Sequence, residues 1–193
     1  MALPHRSVCV LLLAAVGCGG EEPIRTYSVP REPESKRVTY RILGALYPAD
    51  KPVWYFKLTG SADDLAKHEA DWEKLIASVK YKNDTEVPEF ALPAGWIKTG
   101  PRTKGIVKTD EVIKVGSKES PLEVTITLIA DGPESGLKAN LARWANQQLG
   151  GDYEPDKLES LAAPFEAAGG KGLRVDLRGP KNPAAGSMMG KMR

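Results

Sequence analysis

The chain has 193 residues, with 27 Lys and Arg against 25 Asp and Glu, and 41% of its residues are hydrophobic. The two charge signs are interspersed, as in residues 67–74, and no basic stripe of the kind that binds nucleic acid occurs, so no nucleic-acid partner is predicted. The roughly 150 residues left after the N-terminal segments suffice for one domain, since chains of this size bury about two-thirds of their unfolded surface.

The first 18 residues have the pattern of a bacterial lipoprotein signal. Arg6 precedes an apolar run too short to span a bilayer, and small residues precede Cys18. Residues 15–18 (AVGC) resemble the lipobox, although Ala15 stands where a larger aliphatic residue is usual. We therefore expect residues 1–17 to be a signal peptide and Cys18 to be the mature, lipid-carrying N-terminus. The alternatives are an ordinary cleaved signal that leaves a thiol, and an uncleaved anchor.

Lipidation of Cys18 with acyl chains such as palmitate predicts a bacterial envelope protein that faces the periplasm. Gly19 is not the aspartate that retains many lipoproteins in the inner membrane, so the outer membrane is expected. Loss of residues 1–17 removes one basic and no acidic residue, which leaves a formal charge of +1. With one mature cysteine, no intramolecular disulfide is possible. The expected partners are the membrane, through the lipid, and an envelope protein.

The mature chain divides into a tether, a domain and a tail. Residues 18–37 are a lipidated cysteine and flexible tether, because they hold three prolines and many charges with few apolar residues. The α+β domain is expected over residues 38–178, made of a hairpin plus helix (38–81), a link (82–93) and further strands and helices (94–178). Residues 179–193 are polar and are expected to form a mobile tail.

The first part of the domain reads as a hairpin and a helix. The apolar runs 38–47 and 53–58 predict two strands joined by a long turn. Ser61 offers an N-cap, and apolar residues at helical spacing as far as Val79 predict one amphipathic helix packed on the hairpin.

The second part reads as strands, helices and a last hairpin. Strands are predicted over residues 105–115 and 122–129, the second with a clean alternation of apolar and polar residues. A helix over 137–149, a short helix over 155–161 and a hairpin of residues 164–168 and 173–177 follow. The whole pattern predicts a single α+β domain, an antiparallel sheet with helices packed on it.

Several short motifs carry a resemblance to known families. These are residues 41–46 (RILGAL), 54–60 (WYFKLTG), 92–96 (LPAGW), 139–144 (ANLARW) and 175–180 (VDLRGP). Together they resemble envelope lipoproteins of the planctomycete type, and they name no chemistry. More distantly, the Leu-Pro-x-Gly-Trp opening followed by strands, a helix and a hairpin is similar to PsbP-like and DcrB-like domains, which are antiparallel sheets covered by helices.

The order of the parts departs from that resemblance. A strand–strand–helix unit comes last in PsbP-like domains, whereas the unit it resembles here, residues 38–81, comes first. This implies a circularly permuted PsbP-like arrangement within one chain, or a swap in which one chain completes the sheet of another. The permuted arrangement is favoured, because the link over residues 82–93 is long enough to let both halves meet.

A search for catalytic motifs finds none. The glycine clusters 169–172 and 186–191 lack the spacing and the Ser or Thr of a phosphate loop, and no Gly-x-Ser-x-Gly elbow occurs. His68 is the single mature histidine and is expected to be a boundary residue. The acidic pairs 63–64 and 21–22 are explained as a helix start and a solvated tether. No catalytic residue, metal ligand or cofactor is predicted.

One stretch is a candidate binding surface. Asn140, Arg143, Trp144 and Gln147 fall within two turns of one predicted helix, so that an indole and a guanidinium would flank a cleft. The alternative is that Trp144 belongs to the core and Arg143 lies over it at the surface. Residues 54–56 (WYF) place aromatics on both faces of a strand, so a helix or a partner must cover the second face.

Two classes of function follow. The first is a non-catalytic, membrane-anchored envelope lipoprotein that acts as a binding or accessory module for a protein or small ligand, as PsbP-like domains often do. The second is a hydrolase or transferase with a carboxylate- or lysine-based site. A pocket with converging polar groups of perturbed pKa favours the second class, and a smooth surface or a shared interface favours the first.

Overall fold

The structure is a computed structural model that describes residues 39–104, 107–130, 132 and 135–183. All of these belong to one unit, Pro33–Arg193. The strands are β1 (Tyr40–Tyr47), β2 (Trp54–Ser61), β3 (Ile97–Lys104), β4 (Val107–Lys114), β5 (Glu123–Leu128), β6 (Ala163–Ala167) and β7 (Gly170–Gly179). The helices are α1 (Ala62–Ala66), α2 (Glu69–Ala77) and α3 (Leu137–Ala142). The signal, Cys18, the tether and residues 184–193 lie outside the described residues.

The strands form one sheet in the order β3-β4-β5-β2-β1-β7-β6, with every neighbouring pair antiparallel. The first hairpin, β1–β2, occupies its centre. Phe56 of β2 pairs with Ile126 of β5, and Ile42 of β1 pairs with Leu177 of β7. The second half of the chain therefore flanks the first half on both sides, within the same chain. The predicted α+β class with an antiparallel sheet and packed helices is confirmed.

The sheet has a core on each face because the central strands are apolar at nearly every position. The face that carries α1 and α2 is called the first face, and residues 43, 45 and 47 of β1 point to it together with residues 54, 56 and 58 of β2. Leu65 of α1 and Trp72, Leu75 and Ile76 of α2 are at most 1% exposed against these strands. The first-face cluster holds more buried hydrophobic residues than the cluster on the opposite face, so it is the larger of the two cores.

The opposite face, called the second face, is covered by α3 and the residues that follow it. Ile42, Leu46 and Tyr55 of the central hairpin meet Leu141 and Trp144 there. Leu149, Leu158, Val175 and Leu177 complete this cluster. The aromatics predicted on both faces of β2 are thus all internal, and a helix of the same chain covers the second face.

The predicted helix from Ser61 to Val79 is instead two helices. Ser61 caps α1 as expected, since its side chain accepts a hydrogen bond from the N–H of Asp64 (3.1 Å). The N–H groups of Lys67 and His68 donate to carbonyls three residues back (3.3 and 3.0 Å) and close α1. His68 then leaves the helical region, with ψ at 5°. The prediction of one continuous helix was wrong because a local turn with three-residue hydrogen bonds ends α1.

Two further elements differ from the prediction. β3, which the sequence does not predict as a strand, lies at the edge of the sheet, and none of its eight residues is buried. An exposed edge strand has no apolar alternation to reveal it. The predicted short helix over 155–161 consists of two 3₁₀ turns, Pro155–Lys157 and Glu159–Leu161.

The chain stays on the domain beyond the expected boundary at residue 178. β7 ends at Gly179, which pairs with Tyr40. A side chain on Gly179 would collide with the carbonyl oxygen of Leu149, so only glycine fits there. The N–H of Lys181 donates to that same carbonyl oxygen at 2.8 Å. Residues 180–183 therefore run beside the end of the second-face helix.

Candidate functional site

A cleft of about 1030 Å³ opens on the second face. Its floor is formed by strands β2 to β5, and its walls are the helical segment 137–148 and the residues after β7. The lining residues come from all of these elements: Tyr55, Lys57, Arg102, Lys104, Thr109, Thr125, Thr127, Ile129, Asn140, Arg143, Trp144, Gln147, Gln148, Lys181, Asn182 and Pro183. The volume is at the upper end of the range typical of small-molecule sites.

A π-helical turn shapes the helical wall. The predicted helix over 137–149 begins as α3 and continues as a π-helical turn, Arg143–Gln148. The wider turn changes the helical spacing, so that Arg143, Gln147 and Gln148 all line the cleft while Ala145 is buried. π-helical turns are rare and occur frequently at functional sites. The sequence pattern predicted the helix but gave no signal for this turn.

Asn140 fixes the start of this wall. The residue is completely buried, and its side-chain amide donates to the carbonyl oxygens of Gly136 (3.1 Å) and Ser135. Its carbonyl oxygen accepts a hydrogen bond from the Arg143 guanidinium at 2.8 Å. The buried amide therefore ties the helix start to the arginine, which limits the positions that the guanidinium can take in the cleft.

Trp144 belongs to the core and to the lining at once. The side chain is 4% exposed and packs edge-on against Tyr55, with ring centroids 6.0 Å apart and an interplanar angle of 90°. Gly44 on β1 makes this packing possible, because a Cβ at that position would lie 2.6 Å from Cζ3 of Trp144. The indole is thus a rigid end wall that the sheet holds in place.

Lys57 lies on the floor of the cleft, in the central strand β2. Alternation sends its neighbours Phe56 and Leu58 into the first-face core, so Lys57 points to the second face. Its ammonium donates to Oε1 of Gln148 at 3.1 Å and lies 5.7 Å from the centroid of Trp144. Burial, and to a smaller extent the positive charge of Arg143, together lower the pKa of Lys57 from 10.5 to about 8.

All four residues that the sequence singled out line this cleft. Asn140, Arg143, Trp144 and Gln147 come together there with the polar side chains of the sheet. Their role in binding stays a prediction. Sequence reasoning missed Lys57, although a lone cation in the otherwise apolar run 53–58 was a usable signal. It also missed the cationic residues that only the fold brings to the same place.

The other polar clusters are structural. Arg41 is 5% exposed on the first face, and its guanidinium binds Asp176 (2.7 and 2.8 Å) and Glu69 (2.8 and 3.2 Å). Hydrogen bonds to these two carboxylates raise the pKa of Arg41, and the guanidinium holds the pKa of Glu69 below its ordinary value. This cluster joins β1, β7 and α2, and Asp176 also forms an ion pair with Arg178 at 3.6 Å.

Among the remaining sequence candidates, the structure describes His68, the acidic pair 63–64 and the glycines 169–172. His68 is half-buried and meets Trp96 edge-on, with centroids 6.3 Å apart. Within the part of the chain that the structure describes, no group of three His, Cys, Asp or Glu could hold a metal ion. The glycines 169–172 form the turn between β6 and β7. Residues 21–22 and 186–191 lie outside the described residues.

Comparisons with known proteins add no relative. The chain matches no known family model, and neither comparison with curated proteins nor comparison with solved structures finds a match. The proposed function therefore rests on the sequence, the fold and the cleft. Among the described helices, none combines the length and the apolar character that a membrane crossing requires.

Proposed function

We propose that this protein is a lipid-anchored envelope lipoprotein that acts by binding a small ligand in the second-face cleft. The observation that carries the proposal is the convergence of Asn140, Arg143, Trp144 and Gln147 with polar residues of the sheet in one cavity of about 1030 Å³. Concave sites of this size with a few fixed polar groups are the usual form of ligand sites, whereas protein partners more often meet flatter surfaces.

The envelope location rests on the N-terminal sequence. Residues 1–17 act as the signal, Cys18 carries the lipid, and residues 18–37 let the domain stand away from the outer membrane on its periplasmic side. Two or three acyl chains at about 0.8 kcal/mol per buried methylene give stable anchoring. Replacing Cys18 by serine is expected to release the protein from the membrane fraction and to remove the mass of the lipid. A membrane-bound Cys18→Ser protein of unchanged mass would refute lipidation.

The family assignment belongs to the same proposal. We infer that the domain is a circularly permuted PsbP-like domain of an envelope lipoprotein of the planctomycete type. The central place of the first hairpin supports this, because β2 pairs with β5 and β1 pairs with β7. The unit that comes first in the chain thus completes a sheet whose other strands come from the second half. This can be tested with a variant of the chain in which residues 38–81 are moved from the start of the domain to its end. We expect this variant to fold with the same cleft.

Ligand capture from the native envelope tests the binding function. The full lipoprotein is purified from membranes and analysed by native mass spectrometry for a co-purifying small molecule. Thr127→Trp fills the cleft floor, and Thr103→Trp is the control on an exposed position outside the lining. We expect a bound species that the control retains and the cleft-filled variant loses. A species retained equally by both variants would place the ligand elsewhere and refute the proposal.

Lys57 favours one specific alternative, a lysine-based enzyme. An amine with a pKa of about 8 is partly neutral under mildly alkaline conditions and can attack a carbonyl carbon, forming an imine with loss of water. Binding is preferred because the described lining residues include no carboxylate and no histidine that could transfer protons beside the Lys57 amine. Treatment with acetaldehyde and borohydride followed by peptide mapping tests the alternative. Labelling confined to Lys57, with turnover of a carbonyl substrate, would favour the enzyme.

A further inference from the structure

The described lining of the cleft carries one sign of charge. Five cationic side chains line it, and none of the described lining residues is a carboxylate: the five are Lys57, Arg102, Lys104, Arg143 and Lys181. The chain as a whole carries 27 basic and 25 acidic residues, so the bias belongs to this surface and not to the composition. A concave, low-dielectric surface with one sign of charge concentrates the opposite charge.

The cations at the rim differ from the one on the floor. Arg102 is half-exposed and binds Glu123 at 2.8 Å, and the other carboxylate oxygen of Glu123 receives Lys114 at 2.8 Å. This rim charge is already compensated. Lys57, by contrast, is partly buried, and its ammonium contacts two neutral groups, the amide of Gln148 and the indole of Trp144. The floor of the cleft thus holds an ammonium with no carboxylate of the described chain beside it.

The helical wall of the cleft contributes a second positive charge, that of Arg143. Arg143 extends from the π-helical turn into the same cleft, and its positive charge disfavours the ammonium form of Lys57. Two like charges in one cleft repel each other, and an anion between them is attracted by both. The positive charges of Lys57 and Arg143 therefore attract an anionic ligand, and they do not attract a neutral ligand of the same shape in this way.

The uncharged lining residues determine what kind of body, joined to the charged group, would fit the cleft. Ile129 and Pro183 are half-buried, and the edges of Tyr55 and Trp144 form the inner wall. The aliphatic stems of the cationic side chains add further apolar surface. Such a lining favours an apolar, ring-sized body joined to the anionic group.

Resting on the proposed ligand-binding function, we propose that the ligand is a small organic anion whose charged group lies between Lys57 and Arg143 and whose apolar body lies against Ile129 and the inner wall. Carboxylates, sulfonates and phosphates share this chemistry.

A matched pair of fluorescent probes tests this. The anionic probe 8-anilinonaphthalene-1-sulfonate and its neutral parent N-phenyl-1-naphthylamine differ by the sulfonate, and both are titrated into the mature protein. Charge-assisted contacts predict that the anion binds about tenfold more tightly or better. Lys57→Met removes the floor charge at similar volume, and Lys80→Met removes a charge from an exposed position after α2, outside the cleft lining.

The outcomes separate the two proposals. We expect Lys57→Met to reduce the preference for the anion to about twofold or less and Lys80→Met to preserve it. If both probes bind equally and Thr127→Trp abolishes both, the cleft is a ligand site without charge selection, and the anion inference alone is overturned. If neither probe binds, or if Thr127→Trp changes neither, the ligand-binding function fails together with the inference.

Discussion

Replacing Lys57 by methionine is expected to stabilise the folded protein at neutral pH, although it removes a hydrogen bond. The pKa of Lys57 is lowered from 10.5 to about 8 in the folded state by burial and by Arg143, while Lys104 and Lys181 add positive charge to the same cleft. Below about pH 8 the amine is protonated in both the folded and the unfolded state. The folded state then carries the full free-energy cost of burying a charged ammonium. Between about pH 8 and 10.5 the unfolded chain binds more protons, so stability rises with pH.

The size of the effect follows from the two pKa values. A pKa lowered from 10.5 to about 8 corresponds to about 3 kcal/mol of lost stability at pH 7. Water in the open cleft reduces this figure. Loss of the hydrogen bond to Gln148 removes about 1 kcal/mol, and loss of the contact with the Trp144 ring removes about 0.5 kcal/mol. The net expectation is that Lys57→Met raises the free energy of unfolding by about 1–2 kcal/mol at pH 7.

Urea unfolding followed by tryptophan fluorescence at about pH 7, 9 and 11 measures this. The difference between Lys57→Met and the parent protein should shrink as the pH rises, whereas the exposed control Lys80→Met should stay within about 0.5 kcal/mol of the parent protein throughout. A Lys57→Met protein that is less stable at pH 7, or whose advantage does not change with pH, would refute the reasoning. That result would mean that the ammonium is well solvated in the cleft.

Three further expectations concern the cores and the ion cluster. Trp72→Ala should lower the free energy of unfolding by about 3–5 kcal/mol, because it empties the first-face core; a loss below about 1 kcal/mol in urea unfolding would contradict this. Gly44→Ala should destabilise by about 1–3 kcal/mol and alter the fluorescence of Trp144, since the new Cβ would lie 2.6 Å from the indole; unchanged stability and spectrum would speak against that packing. Glu69 has a lowered folded pKa, so its contact with Arg41 stabilises fully above about pH 4.5 and is lost as the pH falls through the lower value. Glu69→Gln should therefore unfold with a weaker acid dependence than the parent protein between about pH 5 and 2, and identical profiles would exclude this role.

Some parts of the candidate site could be predicted because they are local. The helical spacing of Asn140, Arg143, Trp144 and Gln147 lies within one segment, so the sequence alone grouped them. The π-helical turn was not predictable, because the apolar spacing of residues 137–149 fits an ordinary helix and no residue pattern marks where the turn widens. The strand β3 was missed because an exposed edge strand lacks a periodic pattern of apolar residues.

What the sequence by itself determined is the class and the pattern of the domain: an α+β fold, a first hairpin with aromatic residues on both faces of its second strand, and a helical segment after Gly136. Alternation and capping are local properties, so they are legible without a structure. The tertiary structure decided which residues share a cleft. Lys57 and Arg143 are 86 positions apart in the chain and meet because β2 lies at the centre of the sheet, next to β5 and beneath the second-face helix. Strand order is set by long-range pairing and burial, and no local pattern encodes it.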